Sequence, residues 1–172
     1  GLAAISLAVS DFDRAAPHGT GSYKAGANYA GGLMATLKAQ ELGANEALYL
    51  DSAQHRYIDE AGSANIIVAM DDGTLTTPAS NAILPSITRR SVLEIAATQL
   101  NMKTVERAID LREEFGSFQE MGACGTAAVL SPVGRVFFDN DWHMVNGDGQ
   151  TVGRVMQQLY DSLVGIQKGE NE

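Results

Sequence analysis

Five glycines crowd around one lysine in the stretch Gly19-Thr20-Gly21-Ser22-Tyr23-Lys24-Ala25-Gly26-Ala27-Asn28-Tyr29-Ala30-Gly31-Gly32, and a helix-like pattern follows at once. No other stretch limits the fold so strongly. Glycine admits positive φ and lets a backbone approach a ligand closely, so the stretch reads as a loop and its lysine as a candidate reactive group. Two phosphate-loop patterns fail on the residues themselves. A Walker loop needs Gly-Lys-Ser/Thr, whereas Lys24 follows Tyr23 and precedes Ala25. A dinucleotide GxGxxG begins with Gly19 and Gly21, but Lys24 stands where the third glycine belongs. The stretch alone leaves open a plainer reading, a flexible turn with a solvated lysine.

The 172 residues make about one domain, long enough to bury a real core. With 45% hydrophobic and 19% charged residues the chain reads as soluble and globular. A net charge of −9 argues against nucleic-acid and anionic-membrane partners, which need a basic face. The single cysteine, Cys124, excludes an internal disulfide framework and fits a reducing, cytoplasmic compartment. No apolar run is long enough to span a bilayer, and no signal peptide is visible.

Residues 2–10 suit a buried strand, and a long loop through Pro17 follows. A helix is expected from Asn28, with Leu33, Met34 and Leu37 on its apolar face and Gly43 as its stop. Residues 47–50, 56–58 and 64–70 have strand character, and Asp71-Asp72-Gly73 marks a hairpin before a strand at 74–77 that Pro78 ends. Val92, Ile95, Ala96 and Leu100 follow helical spacing behind an N-cap at Ser86 or Thr88. Arg89 and Arg90 then sit at the positive end of that helix, a conflict that an anion, nearby carboxylates or solvent would relieve.

Further on, 105–109 reads as a strand, 110–118 as a short helix, and 125–133 as one buried strand continuing into 135–138. Val152, Val155, Met156, Leu159 and Leu163 form the stripe of a last helix, and 168–172 should fray. Strands and helices mix irregularly, so the fold class is α+β. His18, His55 and His143 lack metal-ligand spacing, so no metal is assigned. Cys124 has no histidine partner and reads as a small buried filler, and Trp142 as packing.

Four blocks in order, GTGSYKAGANYA around Lys24, YIDEAGSAN around Glu60, LPSITR around Thr88 and GACGTAAVLSPV around Thr126, resemble the branched-chain amino acid aminotransferases. With the segments between them they cover nearly all of residues 8–165. The resemblance implies the C-terminal, cofactor-carrying domain of the fold-type IV (D-amino acid aminotransferase-like) fold. On that reading residues 1–18 lead in from a missing N-terminal domain, 19–167 form the large pyridoxal-phosphate-binding domain and 168–172 are a tail.

The implied cofactor is pyridoxal 5′-phosphate, and the implied reaction is transamination of leucine, isoleucine or valine with 2-oxoglutarate in a homodimer. Lys24 matches the lysine that forms the Schiff base and then moves a proton, a task for its neutral amine. Glu60 matches the carboxylate facing the pyridine nitrogen; Asp59 competes for that place, but the five-residue step from Glu60 to Asn65 fits the motif. Tyr29 matches the tyrosine bonded to the cofactor's phenolic oxygen. Ile87 and Thr88 match backbone amides that hold the phosphate at a helix N-terminus, and Thr126 a hydroxyl that reaches it. Ala127 matches an amide near the substrate carboxylate, and Leu84 the apolar residue against the ring; core packing is the plain alternative for both.

The arginine that grips the phosphate's far side, and aromatic residues of the side-chain pocket, belong to the part this sequence lacks, so the isolated chain should be inactive. D-amino-acid transaminases and aminodeoxychorismate lyases share the lysine–glutamate pair and stay open as alternatives, as does a non-catalytic oligomerisation unit.

Overall fold

Along Ala64–Met70, Ile66 and Val68 enter one apolar cluster while Ile67 and Ala69 enter another. A strand apolar on both faces belongs in the middle of a sheet. The computed structural model, which describes residues 2–170, puts it there. In chain order the elements are β1 (Ile5–Val9), α1 (Gly26–Ala30), α2 (Gly32–Glu41), β2 (Glu46–Leu50), β3 (Ile58–Ala61), β4 (Ala64–Met70), β5 (Leu75–Pro78), α3 (Ile87–Thr98), β6 (Thr104–Arg107) and α4 (Leu111–Glu114). A 3-10 turn (Phe115–Ser117), β7 (Phe118–Gly125), β8 (Val129–Phe138), β9 (Asp141–Met144) and α5 (Arg154–Lys168) complete them.

The strands run β3-β2-β1-β8-β7-β4-β5-β6, and β3 also pairs with β4. That extra pairing closes β1, β2, β3, β4, β7 and β8 into a ring, from which β5 and β6 continue, while β9 pairs with β8. β1 is parallel to both its neighbours, β2 and β8. Leu7, Leu48, Ile58, Ile66, Met121 and Val136, one from each ring strand, belong to a single fully buried cluster that fills the ring. Each such side chain contributes about 1.5–3 kcal/mol through burial. A second cluster joins β4 and β7 to α3 and α5 through Val92, Ile95, Leu159 and Leu163. A third packs Ala35 and Ala39 of α2 on Tyr49 and Ala47 of β2. No helix among the described residues is long and apolar enough to cross a membrane.

Two helix starts show how local chemistry sets boundaries. Ser86 caps α3, its hydroxyl accepting from the Arg89 amide at 3.2 Å. The start of α5 has no side-chain cap of its own. Instead the Glu120 carboxylate on β7 accepts from the amides of Val155 (2.9 Å) and Met156 (2.7 Å), placing negative charge at the positive helix end.

Several sequence expectations are corrected. Leu33, Met34 and Leu37 do not face the core: they are exposed, and α2 packs through Ala35 and Ala39 on Ala47 and Tyr49. The apolar run 125–133 is not one strand; residues 126–128 form the turn between β7 and β8. The segment 110–118 holds only α4 and the 3-10 turn before Phe118 begins β7, and the strand expected at 56–58 starts at Ile58, with Tyr57 bridging to Asp110. Gly43 does end α2, at φ +79°, and Gly73 turns the β4–β5 hairpin at φ +82°. Of the expected frayed tail, α5 ends at Lys168 and residues 171–172 lie outside the described residues.

Candidate active site

Between β1 and α1 the chain has no regular structure, and side chains hold the loop instead. Buried Asn28 donates through Nδ2 to the carbonyls of Thr20 (2.7 Å) and Tyr23 (2.9 Å), while its Oδ1 accepts from the Thr20 hydroxyl (3.0 Å). This latch fixes the backbone directly before Lys24, whose side chain is exposed. The glycines act here by closeness, not by unusual φ: none from Gly19 to Gly32 has positive φ. A Cβ on Gly21 would lie 2.6 Å from the Ala16 oxygen and 2.7 Å from the Ala82 Cα. Only glycine lets the Lys24 loop approach the segment that leads into α3.

Glu60 and Asn65 face each other across the β3–β4 hairpin, so their five-residue spacing becomes a contact. Asn65 Nδ2 donates to Glu60 Oε2 (3.3 Å) and to the Leu84 carbonyl (3.2 Å), tying the hairpin to the segment before α3. Glu60 is 1% exposed. Burial pushes its carboxyl up to about 7, against the pull of the Arg14 guanidinium and the Leu84 amide. Arg14 itself is buried and ion-paired with Glu60. Its neighbour on β3, Asp59, is also raised by burial.

Lys24, Ser63, Leu84, Ile87, Thr126 and Ala127 line one cleft of about 440 Å³, within the range of small-molecule sites. Ile87 and Thr88 are the first two residues of α3, whose opening amides have no intrahelical acceptors. Thr126 and Ala127 are exposed in the β7–β8 turn, just ahead of Val129 at φ +60°. Glu60 does not line the cleft but is joined to it through Asn65, a lining residue. Tyr29 is half-buried and lines an adjoining cleft with Arg14 and Tyr49, its ring centre 5.5 Å from the Arg14 guanidinium carbon.

Arg89 donates to the Pro78 carbonyl (2.9 Å) and pairs with Glu106 (3.3 Å), while Arg90 is exposed, so the conflict at α3 is relieved by a carboxylate and by solvent. Cys124 is fully buried, and burial pushes its thiol up to about 12, which disfavours the thiolate a nucleophile needs.

Two contributors escaped sequence reasoning, Arg14 and Asn28. Both sit in or beside a loop, where polar residues default to the surface; the signal for Asn28 was its place inside the glycine stretch, and Arg14 offered none.

Residues 2–136 match the family model for amino-transferase class IV. A branched-chain-amino-acid aminotransferase from Helicobacter pylori is 44% identical over 94% of this chain and 46% of that protein. The structure of a branched-chain amino acid aminotransferase from Escherichia coli superposes with a TM-score of 0.84 at 32% identity, covering 98% of this chain and 54% of that one. The enzyme from Thermobaculum terrenum, solved in its PLP form, gives the same TM-score at 26% identity over 98% of this chain and 52% of that one. The chain spans about half the length of the curated relatives it matches. Its mixed α and β fold is the one that these fold-type IV enzymes carry in their C-terminal portion.

Proposed function

The chain belongs to the class IV amino-transferases, and from that membership we propose that it is the pyridoxal-phosphate-holding half of a branched-chain amino acid transaminase. One observation carries the reading: Lys24, the start of α3 and the Thr126 turn meet in one cleft, with a buried carboxylate, Glu60, joined to it through Asn65. The residues fit the cofactor. Free amides at α3 suit a phosphate dianion, Leu84 supplies an apolar wall, and a buried glutamate paired with Arg14 suits a protonated pyridine nitrogen.

When bound, pyridoxal phosphate supplies an aldehyde carbon for the amino group and an electron sink for the carbanion left at the substrate α-carbon. Lys24 would hold that carbon covalently and, once displaced by substrate, carry the proton from the α-carbon. Glu60 would hold the ring nitrogen in its protonated form, and Tyr29 would donate to the phenolic oxygen. The amides of Ile87 and Thr88 and the hydroxyl of Thr126 would hold the phosphate, while the Ala127 amide meets the substrate carboxylate. Residues 19–167 supply all of these groups.

Leucine, isoleucine or valine would be the amino donors, 2-oxoglutarate the acceptor. Ile87 is 70% and Tyr23 67% exposed at the cleft, an apolar rim that a further domain and a second copy of the whole chain would cover in a cytoplasmic homodimer. Side-by-side assay of the full-length protein on L-branched-chain amino acids, D-alanine and aminodeoxychorismate tests the reading. A preference for L-leucine, L-isoleucine or L-valine is expected; preference for a D-amino acid moves the protein to the sibling activity.

A further inference from the structure

None of the roles above uses Arg14, yet it is the most heavily engaged cation near the cleft. It is 6% exposed, and a buried guanidinium is costly unless paired. Its Nη1 donates to the carbonyls of Gly21 (3.1 Å) and Ala82 (3.0 Å), and its Nε pairs with Glu60 Oε1. The Tyr29 ring lies against the same group. Three segments therefore meet at one cation: the loop leading to Lys24, the strand of Glu60, and the stretch that runs through Leu84 into α3.

We propose that Arg14 is a positioning residue that keeps Glu60 a carboxylate, and so keeps a shared proton on the cofactor's ring nitrogen and off the carboxyl. This rests on the reading that Glu60 holds that nitrogen. The charged and titratable groups facing Glu60 are Arg14 from the loop, Asp59 from its own strand, and Tyr49 from β2, with Glu46 beside Tyr49. Arg14 is the sole cation of this set. Burial and Asp59 both favour the neutral carboxyl, and Arg14 is first among the influences opposing them. Removing it would stabilise a proton on Glu60 more than on the ring, because the guanidinium pairs with Glu60 itself and Coulomb energy falls with distance. The proton would move from nitrogen to oxygen. No bond other than that N–H and O–H changes.

The test uses the full-length protein loaded with pyridoxal phosphate carrying ¹⁵N at the ring nitrogen, whose NMR shift reports the ring proton directly. In the wild-type protein the ring is expected to be protonated at pH 7.5. In Arg14→Gln the ratio of ring-protonated to carboxyl-protonated forms should fall by about 10- to 1000-fold, the effect of losing one adjacent opposite charge. Arg14→Lys keeps the charge and should stay on the wild-type side. In a Glu60→Gln background, Arg14→Gln should remove no further ring protonation, because Arg14 acts through Glu60; a purely structural role would add its own loss there.

A loaded Arg14→Gln protein with the wild-type shift overturns the proposal. So does an Arg14→Lys protein that has lost the ring proton, and this second variant decides if Arg14→Gln does not fold. A wild-type ring without a proton, or a cofactor not held on Lys24, instead overturns the reading of the site.

Discussion

The Arg14–Glu60–Asn65 cluster and the Lys24–Ile87–Thr126 wall belong to one cleft region but are built in opposite ways. In the cluster, Arg14, Glu60 and Asn65 are 6%, 1% and 3% exposed, and they bond one another and the carbonyls of Gly21, Ala82 and Leu84. The wall is open: Lys24, Thr126 and Ala127 are exposed and Ile87 is 70% so. The contrast separates two tasks. Fixing a protonation state needs charges held in a dry, rigid setting, where each interaction is strong. Exchanging an amino acid for an oxo acid needs access. On the proposed function, the cluster would serve the first task and the wall would form one side of the second.

The largest expected effect comes from breaking the dry side. Glu60→Gln in the full-length protein should leave cofactor attachment at Lys24 intact while slowing the proton-transfer half-reaction on the order of 10²–10³-fold. Single-turnover absorbance of the bound cofactor with leucine measures both; an unchanged rate removes Glu60 from its role. Next comes the seam between the two sides. Gly21→Ala forces a methyl group against two backbone atoms, Ala16 O and Ala82 Cα, which should cost about 1–3 kcal/mol in urea unfolding. A neutral substitution there would mean that the loop can yield, and that the close approach does not organise the site.

The smallest effect is a slope. The Glu60 carboxyl is raised from 4.5 to about 7 in the folded protein, so the folded state binds its proton more tightly than the unfolded chain. Its stabilising contribution is present below about 4.5 and is lost as pH rises through about 7, at about 1.4 kcal/mol per unit of separation. Asp59 is shifted in the same direction, so comparison with Glu60→Gln isolates the Glu60 part. The Tm advantage of wild-type apo-protein over Glu60→Gln should shrink between pH 5 and 8 (roughly the span of those two values). A constant difference would mean that Glu60 is already ionised at the lower pH.

Much of this was legible from residues alone, for reasons that differ by element. β4 and α3 could be read because period, turn residues and cap agree there: Gly73 at positive φ and Ser86 at the α3 start do what those residue types do elsewhere. The orientation of α2 was illegible because its buried face is made of Ala35 and Ala39, which carry little apolar signal beside Leu33 and Met34. The turn at 126–128 was hidden inside an apolar run, and a β-branched Val129 at φ +60° is the last residue that turn rules would place there. Lys24, Glu60 and Thr126 stood out through their blocks. Arg14 did not, because its contacts join β3, the Lys24 loop and Ala82, segments far apart in sequence that only the folded chain brings together.

Covalent trapping tests directly whether Lys24 holds the cofactor. The full-length protein, incubated with pyridoxal phosphate, is reduced with borohydride, digested and mapped by mass spectrometry. A single phosphopyridoxyl adduct on Lys24 is expected, with none in the Lys24→Ala variant. An adduct on Lys38 or Lys103 in place of Lys24, both of which lie outside the cleft, would contradict it.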